Sequence, residues 1–174
     1  MRSRVKIFLL MAVTLLFAVV GRSQNVVVDW DHSVGNFSEF KTYAWVKPMR
    51  PTPNPLMDQR IVAAIDGQLT AKGMTKVDGP ADVLVTYGAG ISQERQAVAT
   101  GMGGGWRWGG GVATVNQYVT NVGTLVVDIN SGKTKQLIWR GAAKGTLSDK
   151  PEKNSEKIDK AVAKMFKKYP PSGK

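Results

Sequence analysis

Carboxylates and imidazole come together at one place in this sequence, Asp29-Trp-Asp31-His32, at the end of a β-branched run. Alternate residues of a strand share a face, so Asp29 and Asp31 are placed to share a divalent ion. Two carboxylates are too few for a closed site, however, and an Asp-rich strand exit is ordinary turn chemistry. No metal is assigned there. His32 is the sole histidine. As the base of a serine nucleophile it needs an orienting group and an oxyanion donor, and no G-x-S-x-G accompanies it. P-loop, H-E-x-x-H and zinc-ligand spacings are missing too. A carboxylate-based hydrolase, built on Asp128 with Glu94 or Asp82, needs two carboxyls about 5–9.5 Å apart. No catalytic residue and no cofactor are assigned.

Two other groupings suit contact better than catalysis. Trp106-Arg107-Trp108 lies within GMGGGWRWGGG (101–111), where seven of eleven residues are glycine. A low-complexity stretch of this kind predicts a flexible loop. Two indoles flanking a cation on that stalk suit a partner pocket, a glycan or a lipid interface; the competing expectation is that they fold back over the sheet edge. Lys153, Lys157, Lys160, Lys164, Lys167 and Lys168 recur at helical spacing near the C-terminus and predict a solvent-facing cationic stripe. It would either keep the protein soluble or dock on an anionic lipid or polysaccharide surface.

The elements that position these residues begin after an export signal. Arg2, Arg4 and Lys6 precede an apolar run of fourteen residues, Ile7 to Val20, and then Gly21 to Ser23. This predicts a secretory signal peptide over residues 1–23, its core shorter than the roughly 20 residues that span a bilayer. The sequence has no cysteine, hence no disulfide and no lipid-attachment cysteine, so a soluble periplasmic or envelope location is expected. The net charge of +11 falls to +7 once the signal is removed, leaving twenty basic residues against thirteen acidic ones. Export makes nucleic acid an unexpected partner; a membrane surface or another envelope protein is the expected one.

Residues 25–171 read as a single domain. Asn25 to Trp30 and Phe40 to Val46 alternate as strands, and Tyr43 with Trp45 is expected to pack in the core or under a loop. Pro48, Pro51, Pro53 and Pro55 form a stiff connection that cannot enter a sheet interior. Asn54 as N-cap and Pro55 at the first position open a helix. Met57, Ile61, Ala64, Ile65 and Leu69 form its stripe, and Gly73 ends it. Gly67 inside this helix is expected to mark close packing on the sheet. Met74 to Val77 reads as a short bridge, and Asp82 to Ile91 as a strand completing a β-α-β crossover. Ser92 to Thr100 reads as a polar arm leaving the sheet, with Val112 to Thr120 returning as a strand. GTLVVDINSGKTKQLIWRG (123–141) predicts the central hairpin. Ile158, Ala161, Val162, Met165, Phe166 and Tyr169 give a final amphipathic helix its apolar face.

The expected architecture is therefore α+β: a two-layer sandwich in which a mostly antiparallel sheet of about six strands carries two helices on one face, in the order β-β-α-β-β-β-β-α. The pieces FSEFKTYAW (37–45), NPLMDQR (54–60), KGMTKV (72–77), PADVLVTY (80–87), GTLVVD (123–128), LIWRGA (137–142) and AVAKMF (161–166) occur in that order. With them the chain resembles, over Val26 to Pro171, the exported bacterial family known as domain of unknown function 4136. The resemblance implies an envelope protein and brings neither an activity nor catalytic residues. The resulting expectation is a non-catalytic envelope protein that binds another envelope component. A binder of anionic surfaces is the first alternative and the carboxylate hydrolase the second.

Overall fold

The computed structural model describes residues 24–101 and 113–171. The signal segment and nearly all of the glycine-rich stretch, Trp106, Arg107 and Trp108 included, lie outside the described residues.

Six strands and two helices follow one another as β1 (Asn25–Trp30), β2 (Thr42–Trp45), α1 (Pro55–Ala71), β3 (Thr75–Lys76), β4 (Val83–Gly101), β5 (Ala113–Ser131), β6 (Leu137–Thr146) and α2 (Pro151–Phe166). They form one mixed sheet in the order β1-β6-β5-β4-β2-β3. The pairs β1/β6, β6/β5 and β5/β4 are antiparallel, whereas β2 runs parallel to both β4 and β3. The parallel pairs follow from the α1 crossover, because a parallel neighbour cannot be reached through a tight turn.

Local sequence explains both helices. The Asn54 side chain accepts a hydrogen bond from the Leu56 N–H at 3.0 Å, and Pro55 occupies the first turn, where its missing N–H costs nothing. Gly73 takes φ +80° directly after the C-cap, Lys72, a conformation that glycine adopts without penalty. In α2, Pro151 again stands in the first turn. Asn154 braces that turn by accepting from the Ser148 N–H and donating to the Ser148 carbonyl, each at 2.7 Å.

The core lies between the helices and one face of the sheet. Ile61, Ile65 and Leu69 from α1 meet Val162, Met165 and Phe166 from α2 above Val85, Val127, Ile129 and Trp139. Trp139 is fully buried beside Phe166 and Tyr169, with ring centroids 5.2 and 5.4 Å away. Gly141 makes room for that indole. A methyl group there would stand 2.7 Å from the Trp139 ring and 3.0 Å from the Met165 sulfur.

Four expectations need correction. The arm from Ser92 to Thr100 is strand: β4 and β5 are each 19 residues long and stay paired from Val83↔Ser131 to Gly101↔Ala113. The returning strand and the first strand of the central hairpin are thus one element, β5. Polar Ser92, Gln93, Glu94 and Arg95 hide the strand from a periodicity argument, since beyond the sheet neither face has to be apolar. Met74 to Val77, read as a bridge, contains the edge strand β3, held by Thr75 N–H to Lys41 O at 2.8 Å and Val77 N–H to Tyr43 O at 2.9 Å. Gly67 does not mark close packing, because a methyl group built there meets nothing within 4 Å. The lysine stripe is not uniformly solvent-facing: Lys157 is half-buried and donates from Nζ to the Thr146 carbonyl at 2.8 Å.

Candidate functional site

Asp29 and Asp31 are occupied with local backbone. Asp29 Oδ1 accepts from the Trp30 N–H at 2.9 Å, and Asp31 Oδ1 from the Ser33 N–H at 2.8 Å. The Ser33 side chain and N–H together hold the Asp31 carboxyl below its usual value. His32 lies against Trp30, with ring centroids 4.9 Å apart. Among the described residues no group of three or more His, Asp or Glu side chains is placed to hold a metal ion.

The three carboxylates considered for hydrolysis go to three separate partners. Asp128, 3% exposed, meets the Arg140 guanidinium in a fork, with Nε at 2.6 Å and Nη2 at 2.5 Å. The two residues are directly opposed on β5 and β6. This hydrogen bonding raises the Arg140 pKa above its ordinary value. Glu94 Oε1 pairs with Lys144 Nζ at 2.6 Å. Asp82 Oδ2 accepts from the N–H groups of Lys41 and Thr42 and from the Thr42 hydroxyl, at 2.8, 2.9 and 2.9 Å, which locks β2 to the start of β4 and lowers the Asp82 pKa. In the ladder Thr86 opposes Asp128 and Thr120 opposes Glu94, so Asp128 and Glu94 stand eight residues apart along the strands, about 27 Å of backbone. Asp82 lies four residues from Thr86, about 13 Å. Neither pair has the spacing of a two-carboxylate hydrolase.

Asp66 carries a constellation that sequence reasoning missed. Its Oδ1 accepts from the Tyr43 hydroxyl at 2.8 Å and the Trp45 indole N–H at 2.7 Å, while Oδ2 meets Lys76 Nζ at 3.1 Å. One carboxylate on α1 thereby anchors β2 and β3. Burial and the Asp66 contact push the Tyr43 hydroxyl up to about 12. Tyr43 is a core residue as expected, and Trp45 packs against the core beside Tyr87, ring centroids 6.1 Å apart. The available signal was an acid next to Ile65 on the buried side of α1, facing a strand with two aromatic donors. Asp58, in the first turn of the same helix, is held in a comparable way. Burial raises its pKa, but the Thr52 N–H and the hydroxyls of Tyr87 and Thr52 outweigh that and lower it overall.

Beyond the end of β6, where Val122 pairs with both Ser92 and Thr146, β4 and β5 continue alone as a two-stranded ribbon from Gln93↔Asn121 to Gly101↔Ala113. At about 3.3 Å per residue it projects roughly 25–30 Å from the sheet. Tyr118 and Val119 are 58% and 57% exposed, and Ile91 at its base is 65% exposed. Successive strand residues face opposite ways, so Tyr118 and Val119 make both faces of the ribbon partly apolar. Lys153, Lys160 and Lys164 are exposed on α2, and Lys167 and Lys168 just past its end, remote in sequence from the ribbon.

No helix among the described residues is long and apolar enough to cross a membrane. The fold is similar to that of a PDZ domain protein from Parabacteroides distasonis, at 16% identity and a TM-score of 0.59, covering 86% of this chain and 36% of that one. The chain thus corresponds to about a third of that longer protein. It is also similar to PelC from Paraburkholderia phytofirmans, solved as a dodecamer, at 11% identity and a TM-score of 0.52, covering 83% of this chain and 95% of that one. No curated protein matches the sequence. The profile of the family described as domain of unknown function (DUF4136) matches residues 26–171, nearly all of the chain, and the protein belongs to that family.

Proposed function

We propose that this protein is an exported, non-catalytic component of the bacterial cell envelope that works by contacting another envelope component through its β4–β5 ribbon. The ribbon itself carries the reading. An isolated two-stranded hairpin is marginal in water, and this one extends beyond the sheet with Tyr118 and Val119 exposed on its two faces. Covering those side chains on a partner adds apolar burial and removes open strand edges. The basic and apolar segment at residues 1–23 supports export, and the fold shared with PelC, solved as a dodecamer, supports assembly as the mode of action. Trp106, Arg107 and Trp108, at the far end of the ribbon in sequence, would extend the contact.

The test replaces residues 93–121 by a two-residue Asn-Gly turn, which joins the strands where the three-stranded region of the sheet ends. The shortened protein should melt as the parent does and lose its partners in crosslinking pull-downs from cells. Unchanged recovery with a folded variant would refute the reading. The five exposed lysines on and just past α2 favour a second reading, docking on anionic lipid or polysaccharide. That attraction weakens steeply with salt, so an absence of vesicle cosedimentation at low ionic strength would dispose of it.

A further inference from the structure

The core face of the sheet changes character along its length. Going from the hairpin end toward the ribbon, the cross-strand rows Val85, Ile129, Trp139 and Tyr87, Val127, Gly141 give way to Ala89, Leu125, Ala143, and then to Ile91, Gly123, Gly145. On β5 and β6 the side chains shrink to glycine while the helices continue overhead. The result is a cavity of about 560 Å³ between the sheet and the N-terminal halves of α1 and α2. Met57 and Ile61 wall it from α1, and Ile158 and Ala161 from α2. Its size falls within the range of about 300–1,000 Å³ found for small-molecule sites.

Charge enters at the mouth. Lys157, half-buried on α2, borders the cavity and forms no ion pair among the described residues. Arg50 borders it too, but it pairs with Gly88 and reaches Nη1 to 3.9 Å from a methyl group built on Gly90, which places its side chain on the sheet face away from the helices. The carbonyl of Thr146 takes one Lys157 donor at 2.8 Å and holds the ammonium at the rim, leaving the other two N–H groups for a ligand. The Gln24 side chain donates to the Lys157 carbonyl at 2.8 Å and fixes that turn of α2 against the start of β1. Apolar floor and walls with a lysine at the opening match an amphiphile that has one chain and an anionic head.

We propose that this cavity binds a long-chain fatty carboxylate, its chain lying over Ala89, Leu125 and Ala143 and its headgroup held by Lys157. At roughly 30 Å³ per methylene, close to the volume of one water in the liquid, a single chain of about sixteen carbons fits. The site is separate from the ribbon and does not depend on it.

Delipidated full-length protein is titrated with cis-parinaric acid, a fluorescent fatty acid, and the probe is then displaced with oleate or with oleyl alcohol. Saturable one-to-one binding is expected, with oleate displacing the probe at least about tenfold better than the alcohol. Ala89→Phe fills the floor and should weaken binding at least about tenfold in a protein that still melts cooperatively. Lys157→Gln sits at the rim and should cost oleate about the same factor while leaving the alcohol unchanged. Should Ala89→Phe fail to fold, this rim variant still decides the matter. No saturable binding, equal displacement by acid and alcohol, or unaltered oleate affinity in the rim variant would each overturn the proposal.

Discussion

Removing the two halves of the Asp128–Arg140 pair should have unequal consequences. Asp128 is 3% exposed, whereas the Arg140 side chain is 48% exposed. Arg140→Ala leaves a buried carboxylate without a counter-charge, and breaking a buried pair this way costs about 3–5 kcal/mol. Asp128→Asn instead leaves a neutral amide of the same shape beside a guanidinium that water already reaches. Its loss should be about 1 kcal/mol, the difference between a charge-assisted and a neutral hydrogen bond. For a domain of this size 1 kcal/mol is worth about 2–4 °C. Thermal melts followed by circular dichroism should therefore place Arg140→Ala about 10 °C below the parent and Asp128→Asn only about 2–4 °C below it. The double variant should recover most of the Arg140→Ala loss, because the stranded charge is gone. If Arg140→Ala melts no lower than Asp128→Asn, or the double variant does no better than Arg140→Ala alone, the desolvated-carboxylate argument fails.

Three further outcomes follow from the geometry. Asp66→Ala removes the acceptor for both Tyr43 and Trp45 and should cost about 2–4 kcal/mol in urea unfolding, with Asp66→Asn restoring some of it; a loss under about 0.5 kcal/mol would show that water replaces the carboxylate. Gly67→Ala meets open space inside α1 and should stabilise by about 0.5–1 kcal/mol, a gain that a lower melting temperature would contradict. The Tyr43 hydroxyl, raised from 10.0 to about 12, prefers its neutral form in the fold; its contribution is complete below pH 10 and is lost as pH rises toward 12. Tyr43→Phe should flatten that decline, and unfolding curves that track the parent across this window would refute the assignment.

Most of the fold is legible in residue patterns because burial leaves a period. The i, i+4, i+8 spacing of Ile61, Ile65 and Leu69 and the alternation of Leu125, Val127 and Ile129 each mark one buried face, and both are buried as expected. Asn54 and Gly73 mark the ends of α1 through backbone chemistry that operates within a few residues. The ribbon escapes such reasoning for the converse reason. From Gln93 to Gln96 both faces meet solvent, so nothing periodic is written into the side chains, and the strand exists because its backbone pairs with residues 118–121.

The candidate sites are less legible, since they depend on who meets whom across the sheet. Asp82, Glu94 and Asp128 look interchangeable as sequence, and the pairing of the strands separates them and gives each its own donors. Asp66 is marked in the chain only by its place next to Ile65 on the buried side of α1; the crossover brings it to Tyr43 and Trp45. Residue order by itself determined the strand and helix faces, the caps and the family, because those rest on local sterics and on a periodic need to hide apolar surface. Tertiary structure alone decided the length of the ribbon, the partners of the buried acids and the cavity beside Lys157, because each is made by residues far apart in the chain.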